Sequence, residues 1–440
     1  MNSPRGATPP GAHRGAAPPA AAPARVRDLM PLRSHAPDLL QDLPGPTGAG
    51  AGGDGARLSP SSPHTPARPD PVPLRSDAQR GGCAERRPRD GRLLLLALAV
   101  LLLAAGAALC WGSSAVPASQ VWEVLRTEAL HALGLPAVSE ASPQHQRVVW
   151  LIRMPRVLLA AVVGAGLAVV GVAMQALVRN PLADPYLLGV SSGASVGAVS
   201  VLAWGALASA GLFAITLGAF AGALLATTLV YLLALQQGRV LPTRLILSGV
   251  AVAYTCMGVT SLITLTAGQR ELAASLMTWT LGSLSGSQWI SLPAPALILL
   301  LGLAVLWGSA RELNVLRSGD ESAISLGLNV ARFRRRMFVL VSLMTGSLVA
   351  VSGAIGFVGL VIPHITRMLI GHDHRRVLPV AALMGAAFLI AVDLLARTAF
   401  APMELPVGVI TSLIGGPFFI GMLVRQGRQT RRADKGGPAC

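Results

Sequence analysis

Four groups of residues in this chain could do chemistry. Asp393 and Arg397 stand four residues apart inside an apolar run. That spacing puts both on one helix face, where each lowers the other's cost of burial. A carboxylate so placed could relay protons, but the arginine one turn away makes a local ion pair the simpler expectation. Arg153 and Arg156 bracket Met-Pro at the start of another apolar run. They could grip carboxylates through directed hydrogen bonds, or simply snorkel to a membrane interface. His364 follows Pro363, and His372 and His374 flank Asp373. With no Cys, Asp or second His at ligand spacing, His364 reads as structural, and the His372–His374 loop as solvated; no metal site is expected. The fourth group, Asn180, Pro181, Leu182, Asp184 and Pro185, interrupts two apolar runs and precedes Gly-Val-Ser-Ser-Gly.

One count excludes a class of activity. Lys435 is the only lysine, and Gly-Gly-Pro-Ala-Cys follows it. A Walker-type loop needs a lysine after its glycines to reach the β- and γ-phosphates. The chain therefore does not hydrolyse ATP by that route, and no directly bound cofactor is expected. Cys83, Cys110, Cys256 and Cys440 have no short spacing among them, so neither a disulfide framework nor a zinc ribbon is readable.

The elements that position these groups are membrane helices. The chain is 52% hydrophobic and 13% charged with a mean hydropathy of +0.58, whereas soluble domains average about 25% charged residues. The net charge of +16 comes from arginines in the first 92 residues, at the C-terminus and in spacers between apolar runs. That distribution follows the positive-inside rule rather than a nucleic-acid groove. Residues 1–91 are rich in Pro, Ala, Gly and Arg and cannot bury enough apolar surface to offset ordering, so they read as a disordered tail. No apolar core marks a signal peptide there.

Ten spans are expected between 92 and 428, at 93–112, 154–178, 187–205, 209–235, 244–267, 289–309, 335–352, 355–370, 378–398 and 406–424. The third and eighth are short or broken by glycine. The expected fold is an all-α polytopic bundle in the lipid bilayer of the cell membrane, ending in a tail over 429–440. An even count puts both termini on one side, and arginine bias makes that side cytoplasmic. Only Arg126, Arg147, Arg153, Arg156, Arg270 and Arg397 fall on the other. Gly218, Gly222 and Ala226, like Gly193 and Gly197, recur every four residues, a spacing that lets helix backbones approach closely.

Two cytoplasmic connections carry most of the pattern. In the first, Pro181 and Pro185 disfavour helix at the residues before them, and Asn180 and Asp184 can bond local backbone. In the second, over 313–328, Ser318 with Glu321 three residues on has the form of a capping box, and Gly327 is placed to end a short helix. Helix, break, helix is expected there.

These motifs carry a resemblance. Arg153-Met-Pro-Arg156, the Met-Gln-Ala-Leu run at 174–177, the stretch over 180–193, the Gly-Ala-Ile-Gly-Phe-Val-Gly run at 353–367, His374-Arg375, the Glu-Leu-Pro-Val-Gly run at 404–408 and Gly-Gly-Pro-Phe at 415–418 resemble the permease subunits of type II ABC importers, the family of vitamin B12 and iron-siderophore permeases. The likeness covers about 92–428; the N-terminal tail lies outside it. It implies a homodimer of ten-helix subunits, two cytoplasmic ABC ATPase subunits and an extracytoplasmic substrate-binding protein. It also implies roles. Leu313, Ser318, Gly319, Asp320, Glu321 and Gly327 fall on the coupling helices that sit in a cleft of the ATPase. Arg153, Arg156 and Arg397 match arginines that pair with glutamates of the binding protein. Asn180, Pro181, Leu182, Asp184, Pro185 and Thr243 fall where a cytoplasmic gate is expected.

The resulting expectation is a transport subunit without its own ATPase site, moving a ferric siderophore by alternating access, with heme or cobalamin as alternative cargo. An ion-coupled secondary transporter would want buried carboxylates along a midplane path, and only Asp393 qualifies. A non-transporting scaffold would have no use for the coupling spacer.

Overall fold

A computed structural model describes residues 88–435 apart from 113 and 237–238. The expected tail over 1–91 therefore lies outside the described residues except at its last few positions. Fifteen α-helices follow in order: α1 (Pro88–Cys110), α2 (Ala118–Ala132), α3 (Pro143–Arg147), α4 (Met154–Val178), α5 (Val190–Trp204), α6 (Ala214–Ala234), α7 (Pro242–Ala267), α8 (Arg270–Thr280), α9 (Pro293–Gly308), α10 (Ala310–Arg317), α11 (Asp320–Ser325), α12 (Val330–Ser352), α13 (Val358–Ile370), α14 (His374–Thr398) and α15 (Val407–Lys435). A wider π-turn over Val148–Arg153 joins α3 to α4. A two-residue antiparallel hairpin, Leu235–Gln236 with Arg239–Val240, links α6 to α7.

Among the described residues, eight helical stretches are long and apolar enough to cross a membrane, and the shorter apolar α5 and α13 complete the ten expected. The last turns of α15 run into the stretch read as a tail. Two amphipathic helices, α2 and α8, lie outside the expected spans. Arg332, Arg334, Arg335 and Arg336 mark one end of the bundle, at the start of α12; it is called the basic end below, and the opposite one the far end.

The helices meet through glycine. A Cβ added at Gly197 of α5 would lie 1.9 Å from the Gly218 carbonyl of α6, and one at Gly193 would lie 2.5 Å from the Gly222 carbonyl. The four-residue spacing of small residues thus is the α5–α6 seam. Gly164 of α4 meets Gly385 of α14 in the same way, and Gly171 of α4 meets Gly359 of α13. Without a hydrophobic effect between helices in lipid, such close backbone approach supplies the packing attraction.

The two short helices explain the rest of the architecture. α5 has 15 residues and α13 has 13, or about 22 and 20 Å at 1.5 Å per residue, short of a hydrocarbon core of about 30 Å. Non-helical chain makes up each deficit. After α4 ends at the left-handed Arg179 (φ 54°), residues 181–189 turn back into the bundle instead of staying at its surface. Pro185 packs on Gly359, level with Gly171, two turns inside α4. The Leu187 carbonyl packs on Gly249, two turns inside α7. The expected surface turn is therefore confined to Asn180 and Pro181, and Asp184 and Pro185 are re-entrant. Between α12 and α13, residues 353–357 form the second break. A single Cβ tests this packing: Gly197→Leu should lower unfolding stability in detergent by at least ~2 kcal/mol through overpacking against backbone, whereas Gly258→Ala, with open space around it, should leave the melting temperature within about 2 °C.

Candidate functional site

Three groups of residues build the site, one at each end and one between. In the middle, the two breaks face each other across a cavity of about 370 Å³ lined by Asp184, Tyr186, Leu187, Ser191, Gly356 and Phe357, with Ala354 and Leu360. The first break satisfies part of its backbone locally. Asn180 Oδ1 accepts from the Leu182 N–H at 2.9 Å, and Asp184 Oδ1 accepts from the Tyr186 N–H at 2.8 Å, so both residues shape the chain as their types suggest. Asp184 thereby caps the 3-10 turn Pro185–Leu188. The Tyr186 hydroxyl then crosses the gap and accepts from the Ile355 N–H at 2.9 Å. Thr243, in the first turn of α7, is exposed at the basic end. Among the described residues no hydrogen bond joins it to 180–185; α7 meets the re-entrant stretch further in, at Gly249.

At the far end, the three arginines expected to face outward are buried, at 3% exposure for Arg153 and 5% for Arg156 and Arg397. Arg156 Nε donates to Asp393 Oδ1 at 2.9 Å and Oδ2 at 3.2 Å, and its Nη1 donates to Glu404 Oε2 at 2.8 Å. Arg397 Nε lies 3.1 Å from Asp393 Oδ2, an ion pair without a directed hydrogen bond, and Nη2 donates to the Ala108 carbonyl. Arg153 donates to the carbonyls of Leu109, Cys110 and Ser114, clamping the end of α1. Asp393 and Arg397 do pair within α14, but Arg156 is the stronger partner. The reason for inward orientation is electrostatic: a carboxylate at 1% exposure needs fully committed donors. Only Glu404, with its side chain 40% exposed, carries the network outward.

At the basic end, α10 and α11 form the expected helix, break, helix. Its cap differs from expectation. Gly319 (φ 111°) is the residue before α11, and no side-chain cap bond forms. Ser318 instead closes α10, so the Ser318–Glu321 capping box is absent. Gly327 (φ 85°) does end α11, with Leu328 N–H donating back to the Ala323 carbonyl, a Schellman arrangement. Leu313 is fully buried and anchors the hairpin, so it is not a contact surface. The outward face carries Glu321 with Ile324 and Leu326, 55% and 71% exposed.

Charge pairs fix this hairpin to three spans. Asp320 receives both Arg334 Nη atoms of α12, at 2.8 and 2.9 Å, and lies 3.5 Å from Arg179 after α4. Asn314 donates to Asp373 at 2.8 Å, and its Oδ1 accepts from the His374 N–H at the start of α14. A force on α10–α11 is thus delivered to α4, α12 and α14 together. Sequence reasoning missed Glu404, Arg334 and Asn314. The first two left no local signal, because their partners lie 248 and 14 residues away.

The profile of the FecCD transport family matches residues 96–425. Similar curated proteins include the hemin transport system permease protein HmuU of Yersinia pestis, 46% identical over 64% of this chain and 84% of its own. The cobalamin import system permease protein BtuC of Halobacterium salinarum is 46% identical over 63% of this chain and 73% of its own. The Fe(3+) dicitrate transport system permease protein FecD of Escherichia coli is 41% identical over 65% and 88%. A solved structure reported as an inward-facing conformation of a metal-chelate type ABC transporter aligns with a TM-score of 0.65 at 30% identity, covering 76% of this chain and 99% of that one.

The far-end network gives a stability test. Asp393→Asn should cost about 3–5 kcal/mol, because it leaves the buried Arg397 without a carboxylate and Arg156 with Glu404 alone. Glu404→Gln should cost under ~1 kcal/mol at its more exposed position. Thermal unfolding of the purified variants in detergent reads both.

Proposed function

The chain belongs to the FecCD transport family, and from that premise we propose that it is the membrane-spanning subunit of an ATP-driven importer that carries a ferric siderophore into the cell. The observation that carries the reading is the α10–α11 hairpin. It exposes Ile324 and Leu326 beside Glu321 at an end rich in arginine, and it is ion-paired or hydrogen-bonded to three spans. An apolar pair presented on a rigid, polar support is the form of a docking surface.

In this proposal the basic end is cytoplasmic, as arginine bias favours, and both termini lie there. Two copies of the chain assemble side by side, and one ABC ATPase subunit grips each hairpin. Closure of the ATPases drives the hairpins, which lever α4, α12 and α14. The re-entrant stretch after α4 and the break between α12 and α13 hang from those helices, so the cavity between them opens alternately to either end. Asn180 and Pro181 sit at the pivot, and Thr243 at the inner rim. The subunit performs no chemistry of its own.

A substrate-binding protein docks at the far end. Arg156, Arg153 and Arg397 are sequestered there, so docking proceeds by exchange: a partner carboxylate replaces the partly exposed Glu404 on Arg156 Nη1. Charge complementarity then gives orientation and association rate.

The cargo reading rests on the cavity lining. Its one carboxylate, Asp184, already accepts from backbone, and its other walls are small, apolar or weakly polar. Such a passage suits iron enclosed in its chelate rather than a bare ion. Heme and cobalamin fit the same lining, and the similar permeases are named for hemin, cobalamin and Fe(3+) dicitrate. An ion-coupled carrier is disfavoured because Asp393 is committed to two arginines.

Proteoliposomes holding the permease with its ATPase and binding protein should accumulate ferric siderophore only when ATP is supplied. Uptake driven by a proton or sodium gradient without the ATPase would contradict the proposal, and visible-band spectroscopy of the loaded binding protein distinguishes siderophore from heme and cobalamin. Glu404→Gln should tighten binding-protein docking severalfold in surface plasmon resonance, because Arg156 is released; an unchanged or weakened affinity would contradict the exchange.

A further inference from the structure

At the basic end a second cavity, of about 280 Å³, lies between the ends of α4, α10 and α13 and the start of α14. Arg179, Arg317, Arg367, His372 and His374 line it, with Gln175; no carboxylate does. We propose that this cavity is a binding site for a phosphate-class anion, either a lipid headgroup phosphate or free phosphate.

The site is built rather than incidental. Gln175 Nε2 donates to the carbonyls of Gly359 and Leu360 at 3.3 and 3.4 Å, which turns its Oε1 toward the cavity. That oxygen accepts from Arg367 Nη2, so a buried amide fixes the guanidinium plane. Arg367 has no other hydrogen-bond partner and no carboxylate within ion-pair distance among the described residues. Arg317 Nη1 donates to the His372 carbonyl at 3.2 Å and likewise has no carboxylate. Two guanidiniums with unspent donors thus face one space, the arrangement that binds phosphate bidentately.

The nearby acids do not neutralise it. Asp320 is held by both Nη atoms of Arg334, with Arg179 only at 3.5 Å. Asp373 Oδ1 accepts from Asn314 and from the Arg375 N–H, and its Oδ2 lies 3.6 Å from Arg376. The surplus positive potential is felt by His372, whose imidazole partial burial and the Arg317 and Arg367 guanidiniums hold below its ordinary range. Like-charged groups held together without counter-ions are costly, and a bound anion would relieve them. Basic pockets between membrane helices at a cytoplasmic surface take headgroup phosphates on the same physical grounds.

The position gives the site a consequence. Arg317 ends α10 and Arg179 follows α4, so a bound anion bridges the hairpin to the start of the re-entrant stretch and to α13. The occupied site would stiffen the link between hairpin and passage.

The test uses the purified full chain. Calorimetric titration with inorganic phosphate in uncharged detergent should show saturable binding to wild type. The dissociation constant should rise about tenfold in Arg317→Gln, the loss of one charge-assisted contact. Arg367→Gln should do the same, and Arg332→Gln, exposed and outside the cavity, should match wild type. Arg317 is exposed, so its variant reports even if Arg367→Gln fails to fold. Native mass spectrometry from phosphatidylcholine nanodiscs with and without phosphatidylglycerol separates the sources. A phosphatidylglycerol retained by wild type and lost in Arg317→Gln assigns the headgroup; phosphate binding without lipid retention assigns free phosphate. If wild type neither binds phosphate saturably nor retains the lipid, or if Arg317→Gln behaves as wild type in both, the site is refuted.

Discussion

Backbone amides and carbonyls that leave a helix inside a bilayer must find partners within the protein. This chain leaves the helix twice at depth, at 181–189 and 353–357, and the rest of the structure follows from accommodating that. The two breaks can exist because they face each other and share a bond, the Tyr186 hydroxyl to the Ile355 N–H. They can be reached because glycines on α4, α7 and α13 let chain pack directly on backbone, as at Gly171, Gly249 and Gly359. Where the packing is incomplete a cavity remains, and in the proposed function that is the route through the bundle. Interrupted helices at mid-membrane are where transporters of other folds also place their sites.

Charge obeys the same rule and divides the molecule by function. At the far end, burial forces Arg156, Arg397 and Asp393 into one network whose only exposed member is Glu404. At the basic end, Asp320 and Asn314 tie an exposed hairpin to the helices that carry both breaks. One end is thus a closed set of pairs, and the other an exposed hairpin tied to the bundle. Between them, the chain has few polar contacts that could resist cargo or motion.

The spans were legible because hydropathy is set by composition over about twenty residues, and the seam at Gly193, Gly197, Gly218 and Gly222 because close packing in lipid demands small residues at helical spacing. The shortness of the third and eighth runs was visible, but its meaning was not. Asn180, Pro181, Asp184 and Pro185 carry the same local chemistry in a surface turn as in a re-entrant one, and only Gly359 and Gly249, distant in sequence, decide between them. Arg156 showed its charge but not its direction, since Glu404 lies 248 residues on. The Ser318–Glu321 pattern fitted a capping box, yet Gly319 at φ 111° turns the chain so that the serine ends one helix rather than starting the next. Helices α2 and α8 are not legible from hydropathy, because short amphipathic helices lack a long apolar run.

In the proposed mechanism the space between the two breaks is the passage, and nucleotide state decides which end reaches it. The direct measurement is thiol accessibility in a background freed of the native cysteines, reading a cysteine placed at Gly356, where a side chain has room. In proteoliposomes with ATPase and binding protein, a membrane-impermeant reagent added at one face should label Gly356→Cys at rates that differ several-fold between nucleotide-free and ATP-bound states. A cysteine at the outward-facing Leu300, 64% exposed, should show no such change. Equal labelling of Gly356→Cys in every nucleotide state, while cargo still accumulates, would contradict the claim.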